Sequence, residues 1–140
     1  MAKNLNKIEI ESERKENKKK ERVNMRHLSK QKKFGRTMNQ RNALLNGLIR
    51  SLIEREKIIT TVVKAKSIKP RIEKLITKGK HKDLSTIRYL QSRLDSKNAK
   101  KIYEILAPRY QSRAGGYTKI IKLPPRKSDG AAVAVIELVK

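Results

Sequence analysis

The side chains in this sequence that are best suited to chemistry are cationic, and they lie in several separate stretches. Lysine and arginine number 37 against 13 acidic residues, which leaves a formal net charge of +24. The candidate contacts are Arg26, His27, Lys30, Lys32, Lys33, Arg36 and Arg41, then Lys64 and Lys66, then Arg109, Arg113 and Tyr117, and finally Arg126 and Lys127. So large a charge repels itself in a free protein and is neutralised by a polyanion, which makes nucleic acid the leading partner class.

Residues for catalysis or metal binding are scarce. The two histidines, His27 and His81, lie in basic surroundings, and the chain has no cysteine, so thiol chemistry, thiolate sites and disulfides are excluded. Gly115-Gly116 is not followed by the lysine and hydroxyl residue of a phosphate-binding loop, and it is typical of a turn before a strand. Glycines there would also let a phosphate or sugar come close to the backbone. We predict no catalytic residue, no metal site, no cofactor and no small-molecule substrate.

A membrane surface is the rival polyanion. No apolar run approaches the roughly 18 residues that span a bilayer, and the N-terminus lacks an apolar secretory region. We therefore expect an intracellular, cytoplasmic protein with no membrane partner.

Aromatic residues make up only 4% of the chain, which argues against a stacking platform for single strands. Folded RNA or a duplex, recognised by shape and phosphate contacts, is favoured instead. Neutralising about eight phosphates would give a salt slope of roughly −6 to −7.

The elements that must position these cations begin with a change of character after residue 40. Residues 25–40 are too basic and too poor in apolar side chains to bury themselves, and they predict an arm that needs a partner. From Asn42 to Lys57 the apolar positions form one helical stripe, with Thr37 and Gln40 spaced as a capping box and Asn39 as a rival N-cap. The β-branched run from Lys57 to Val63 predicts a strand.

Three further helices are indicated. One runs toward Gly79, a candidate C-terminal cap, and Pro70 inside it predicts a kink or a late start. A second follows Asp83 as N-cap, and a third follows Ser96 and ends at Pro108.

The C-terminal part predicts strands from Tyr117 to Leu123 and from Ala131 to Val139, joined by a longer loop. Both faces of the last strand are apolar as far as Glu137, which is typical of a strand covered on both sides. The predicted fold is α+β, with about four helices packed on a small, mainly antiparallel three-stranded sheet and a basic N-terminal arm.

The domain organisation follows from these patterns. Residues 1–24 are a charged extension, either disordered or ordered by RNA. Residues 25–140 form a single domain, with 25–40 as the arm and 41–140 as the α+β core.

Several motifs together go beyond composition. They are Met25-Arg26-His27, Phe34-Gly35-Arg36-Thr37, Ala43-Leu44-Leu45, Ser51-Leu52-Ile53-Glu54, Lys64-Ala65-Lys66, Glu73-Lys74-Leu75-Ile76-Thr77, Ala107-Pro108-Arg109-Tyr110, Gly115-Gly116-Tyr117-Thr118, Pro125-Arg126 and Ile136-Glu137-Leu138-Val139. In this combination the chain resembles the bacterial-type ribosomal large-subunit protein seventeen family from Met25 to Lys140. The resemblance implies an α+β domain bound to large-subunit ribosomal RNA near the nascent-chain exit, beside neighbouring large-subunit proteins, with structural and assembly roles and no catalysis.

The chain departs from the family pattern at three places. Met38-Asn39-Gln40 stands where a Ser-Ser-His run is common, although Arg41 remains, and Pro124 and Ser128 stand where glycines are usual. The first 24 residues have no counterpart in the pattern.

We therefore predict a structural constituent of the large ribosomal subunit, located in the ribosome of a bacterium or an organelle. The alternative is a free architectural protein that coats nucleic acid with little preference.

Overall fold

The computed structural model describes residues 32–139. The extension (residues 1–24), the first part of the arm (residues 25–31) and Lys140 lie outside the described residues. The candidate contacts Arg26, His27 and Lys30 lie outside them as well.

Helix α1 (Met38–Arg55) begins where the spacing of Thr37 and Gln40 predicts. Thr37 is the N-cap, and its backbone N–H donates to Oε1 of Gln40 at 3.4 Å, as in a capping box. The helix ends at Glu56, whose φ of 59° is left-handed and turns the chain directly into the first strand.

The boundary between the first strand and the second helix differs from the prediction. Strand β1 (Lys57–Thr61) stops two residues early, and Val62 and Val63 open helix α2 (Val62–Gly79). The prediction was wrong because β-branched residues favour a strand only weakly, whereas the apolar positions from Ala65 onward already require a helix here. The late start predicted from Pro70 is also wrong, since Pro70 lies well inside α2.

The third helical region begins as expected and the fourth does not. Asp83 is the N-cap of α3 (Leu84–Arg93), but Asp95 rather than Ser96 caps α4 (Ser96–Lys101). The chain then continues through a π-helical turn (Ile102–Leu106) into α5 (Ala107–Arg109). Pro108 lies in this last helical turn, which ends at Arg109, one residue beyond the predicted end.

Gly79 does not cap α2 in the way the sequence suggests, because the C-cap is Lys80 with an ordinary right-handed φ of −66°. Its role is packing: a Cβ on Gly79 would lie 2.8 Å from Cγ2 of Ile102 in the π-helical turn. The absence of a side chain lets α2 approach that turn closely.

The sheet contains β1, β2 (Thr118–Lys122) and β3 (Val133–Leu138) in the order β1-β3-β2, with both pairs antiparallel. Ile58, Ile136 and Leu138 belong to the core shared with the helices. On the opposite face Val135 is buried too, as expected for a strand covered on both sides, but its neighbours Ile59 and Ile121 on the edge strands are exposed. The predicted α+β class is confirmed, since residues 32–139 contain four helical regions on a three-stranded antiparallel sheet.

Candidate nucleic-acid interface

The described end of the arm is joined to the core by a tight turn. Phe34 and Gly35 both have positive φ, 58° and 59°, and the N–H of Arg36 donates to the carbonyl of Lys33 at 3.2 Å. The Phe34 ring is partly buried and packs against the hydrophobic core. A positive φ is costly for a residue with a Cβ, so burial of the ring offsets strain in the turn.

One arginine of the arm and one of helix α1 help to hold this turn. Arg36 donates from Nη1 to the carbonyl of Phe34 at 2.9 Å, and Arg41 donates from Nη1 to the carbonyl of Arg36 at 3.4 Å. Lys32, Lys33 and Arg36 are exposed, whereas Arg41 is half-buried. The turn therefore directs exposed cations into solvent from a fixed point on the core.

One end of the sheet brings together two of the predicted basic groups. The N–H of Val62 donates to the carbonyl of Ala132 at 3.0 Å, which joins the start of α2 to the start of β3. Arg126 joins the same region through a 3.0 Å bond from its N–H to the carbonyl of Ala131. Lys64 and Lys66, in the first turns of α2, and Lys127 thus belong to elements that meet at this end.

Arg126 itself is paired. Its Nη1 lies 3.1 Å from Oδ2 of Asp129, whose other oxygen accepts the N–H of Ala131 at 3.1 Å. These bonds shape the turn. Because both side chains are about half exposed, the ion pair contributes little to stability.

The opposite end of the sheet carries Arg109, and a carboxylate holds it. Nη1 and Nη2 of Arg109 lie 2.8 and 3.1 Å from the two carboxylate oxygens of Glu56. Lys101 approaches the same carboxylate at 3.8 Å. The hydrogen bond with Glu56 is the main cause that raises the pKa of Arg109, which keeps this guanidinium charged.

Tyr117 lies in the core, which does not fit its predicted contact with RNA. The ring is fully buried and lies 5.1 Å from the ring of Tyr110. Its hydroxyl donates to the carbonyl of Arg113 at 3.2 Å, and Lys80 donates from Nζ to that carbonyl at 2.6 Å. Tyr117 is therefore a positioning residue, which holds the C-terminal loop (residues 110–117, between α5 and β2) so that the exposed side chain of Arg113 faces solvent.

Tyr110 secures the start of the same loop. Its hydroxyl donates to the carbonyl of Val139, just after β3. Burial is the main cause that raises the pKa of this phenol, against the opposing effect of Arg109.

Within residues 32–139, the cations of Lys64, Lys66, Arg113 and Lys127 have no carboxylate within ion-pair distance. The same residues contain no cluster of His, Cys, Asp and Glu that could hold a metal ion. No helix in this part of the chain is long and apolar enough to cross a membrane. The arrangement can bind anions at two ends of one sheet and at the described end of the arm.

Comparison with known proteins identifies the family. The model of "Ribosomal protein L17" matches residues 44–139. The chain belongs to the ribosomal protein L17 family. Members of this family are structural components of the ribosome, so the prediction that the chain is not an enzyme is confirmed.

Several L17 relatives cover most of the chain. The "Large ribosomal subunit protein bL17" of Exiguobacterium sp. is 50% identical over 76% of this chain and 97% of its own length. The protein of the same name from Novosphingobium aromaticivorans is 49% identical over 82% of both chains. That of Hydrogenobaculum sp. is 48% identical over 83% of this chain and its own full length.

Two residues that organise the interface were not found from the sequence. Lys80 is 33 positions from Arg113, and Glu56 is 53 positions from Arg109. No local motif signals such pairs, because each depends on the packing of α2 or β1 against the C-terminal loop.

Proposed function

We propose that this chain is a structural constituent of the large ribosomal subunit and binds folded large-subunit ribosomal RNA through phosphate contacts. Membership of the L17 family supports the ribosomal role, and relatives of this chain are named large ribosomal subunit proteins. The proposed contacts among the described residues are made by Lys32, Lys33, Arg36, Lys64, Lys66, Arg113 and Lys127, with smaller contributions from Arg41, Arg109 and Arg126.

The proposal rests on the contrast between cations that a carboxylate pairs and cations that no carboxylate pairs. Among the described residues, Asp129 and Glu56 hold Arg126 and Arg109, while Lys66, Arg113 and Lys127 are exposed without an acidic partner. A fixed backbone that presents unpaired cations can neutralise phosphates where RNA helices pack together.

The test is co-sedimentation of the tagged chain with ribosomal particles through a sucrose gradient at high salt. High salt strips loosely bound cationic protein but retains an integrated component. We expect the chain to sediment with the large subunit at one copy per particle. Release to the top, or spread over all nucleic acid, would favour the free coating protein instead.

The individual contacts can be mapped because the chain has no native cysteine. Iron–EDTA tethered at Lys66→Cys, Lys127→Cys or Arg113→Cys cleaves RNA close to each position. We expect Lys66→Cys and Lys127→Cys to cut overlapping RNA regions, because both positions lie at the same end of the sheet. Arg113→Cys should cut a different region, because Arg113 lies at the opposite end. Identical patterns from all three would contradict two separate contact sites.

We further propose that the domain lies near the nascent-chain exit, beside other large-subunit proteins. This location rests on family membership alone. Cleavage by the same probes of RNA far from the exit would contradict it.

A further inference from the structure

The outer face of the sheet, which the helices of residues 32–139 leave open, carries apolar side chains on all three strands. The register places Ile59, Val135 and Ile121 side by side across the three strands. The next row is formed by Thr61, Val133 and Leu123, since Thr61 pairs with Val133 and Leu123 donates its N–H to the carbonyl of Val133 at 3.0 Å. Ile59 is 67% exposed, Ile121 38% and Leu123 37%.

Val135 separates this face from the core. It is only 6% exposed, yet it does not belong to the core cluster that includes Ile136 and Leu138 on either side of Glu137. Its cover therefore comes from its own face, where Ile59 and Ile121 flank it. Single exposed apolar residues are ordinary, but a row that spans a whole sheet indicates a surface that another molecule covers.

Charge defines one end of this surface. Lys57, Glu137 and Lys119 form the row beyond Ile59, Val135 and Ile121, and none of the three is in an ion pair within residues 32–139. The two lysines are exposed on the edge strands, while Glu137 is half-buried on the central strand. An apolar centre beside two exposed ammonium groups is complementary to apolar side chains that alternate with carboxylates.

RNA and a second copy of this chain fit less well. Branched alkyl side chains cannot neutralise phosphates, so RNA leaves the centre of the face unsatisfied. A second copy of this chain would bring two charges of +24 together.

We propose that the outer face of the sheet is a protein-binding surface for an apolar, carboxylate-bearing segment of another large-subunit protein. The proposal rests on the proposed function, because it takes the partner from the same particle. In this arrangement RNA binds at the two ends of the sheet and a protein binds on its open face.

Photocrosslinking tests the identity of the occupant. The purified Ile59→Cys variant is labelled with a maleimide benzophenone and reconstituted into large subunits, with labelled Lys66→Cys as the matched control. We expect Ile59 to crosslink to one protein, at a segment that contains both apolar and acidic residues, and Lys66 to crosslink to RNA. A crosslink from Ile59 to RNA, to a second copy, to a segment without carboxylates or to nothing would overturn the proposal.

Charge reversal tests the complementarity. Lys57→Glu combined with Lys119→Glu should lower the Ile59 crosslink at least fivefold. An unchanged yield would overturn the role of these lysines in the proposal.

A second pair of variants separates this surface from RNA binding. Ile59→Ser combined with Ile121→Ser should leave affinity for isolated large-subunit RNA within twofold of wild type, while lowering retention in high-salt subunits at least tenfold. Circular dichroism checks that the variant is folded. Equal losses in both assays would overturn the proposal, whereas failure of the wild-type chain to enter subunits would count against the proposed function instead.

Discussion

Arg109 and Glu56 lie 53 positions apart, yet the guanidinium meets both carboxylate oxygens at 2.8 and 3.1 Å. Glu56 has a left-handed backbone conformation and follows the last residue of α1, while Arg109 is the last residue of α5. The pair therefore joins the C-terminal end of α1 to the start of the C-terminal loop. Both side chains are about one-third exposed, so solvent screening limits the energy of the pair.

The pair predicts that Arg109 and Arg113 have different roles. We expect Arg109→Gln to lower the free energy of unfolding by about 1 kcal/mol, because a bidentate, partly screened ion pair is lost. Arg113→Gln, whose side chain has no described carboxylate partner, should leave stability unchanged and reduce the salt slope of RNA binding by about 1. Urea unfolding and filter binding at several salt concentrations measure the two effects. Equal stability losses in both variants would contradict this division.

Gly79 in α2 packs closely against the π-helical turn, and Gly47 in α1, which has open space around it, serves as its control. Gly79→Ala should lower the free energy of unfolding by about 1–3 kcal/mol, since the new Cβ would lie 2.8 Å from Cγ2 of the fully buried Ile102. Gly47→Ala, which meets nothing within 4 Å in the middle of α1, should instead stabilise the protein by about 0.5–1 kcal/mol. Urea unfolding measures both variants. Stabilisation by Gly79→Ala would show that the close approach of the π-helical turn is not needed.

Gly35 tests the turn that anchors the arm. A Cβ has open space there, but φ is 59°, so Gly35→Ala should disfavour the turn by about 1 kcal/mol through backbone strain alone. Because about 1 kcal/mol corresponds to roughly a fivefold population change, trypsin should cut after Arg36 roughly five times faster. Gly35→Asn, which tolerates a left-handed conformation, is the control and should stay within about twofold of wild type. Equal cleavage rates in all three proteins would argue that the turn does not restrain the arm.

Tyr110 predicts a loss of stability at alkaline pH. Burial raises the pKa of this phenol above its ordinary value of 10.0, so the folded protein keeps the proton where the unfolded chain has lost it. The contribution is complete below the unfolded pKa of about 10 and is lost as pH rises through the folded pKa.

The Tyr110→Phe variant isolates this effect, because the lysines titrate in both proteins. At neutral pH we expect it to be less stable by about 1 kcal/mol, since the hydrogen bond to Val139 is lost. Urea unfolding from neutral pH to above pH 10 should show the gap between the two proteins narrowing. A constant gap across that range would contradict a raised pKa for Tyr110.

Sequence patterns predicted the elements well where one local signal dominated. The α1 stripe and its capping pair, the Asp83 cap and the three strands each rest on residues within a few positions of one another. Errors appeared where two local signals competed, as at Val62 and Val63, where β-branching opposed the apolar spacing of α2. Tertiary packing decided that competition.

The candidate cations could be named from the sequence, but the contacts that hold them could not. Sequence patterns gave the exposed lysines and Arg113 as candidates, whereas the burial of Tyr117 depends on packing that no local pattern reports. The open outer face was missed for a related reason. Apolar residues on both sides of β3 give the same pattern whether a second layer covers the strand or only its flanking neighbours do.

The strand order β1-β3-β2 also determines when the sheet can form during synthesis of the chain. β3 is the strand with which both others pair, and the ribosome makes it after them. Until Val133–Leu138 has been made, β1 and β2 have no partner in the sheet, and the bonds from Leu138 to Glu56 and from Val139 to Tyr117 cannot form. A chain interrupted before Val133 therefore lacks the sheet and both of the bonds that fasten Glu56 and Tyr117 to its last strand.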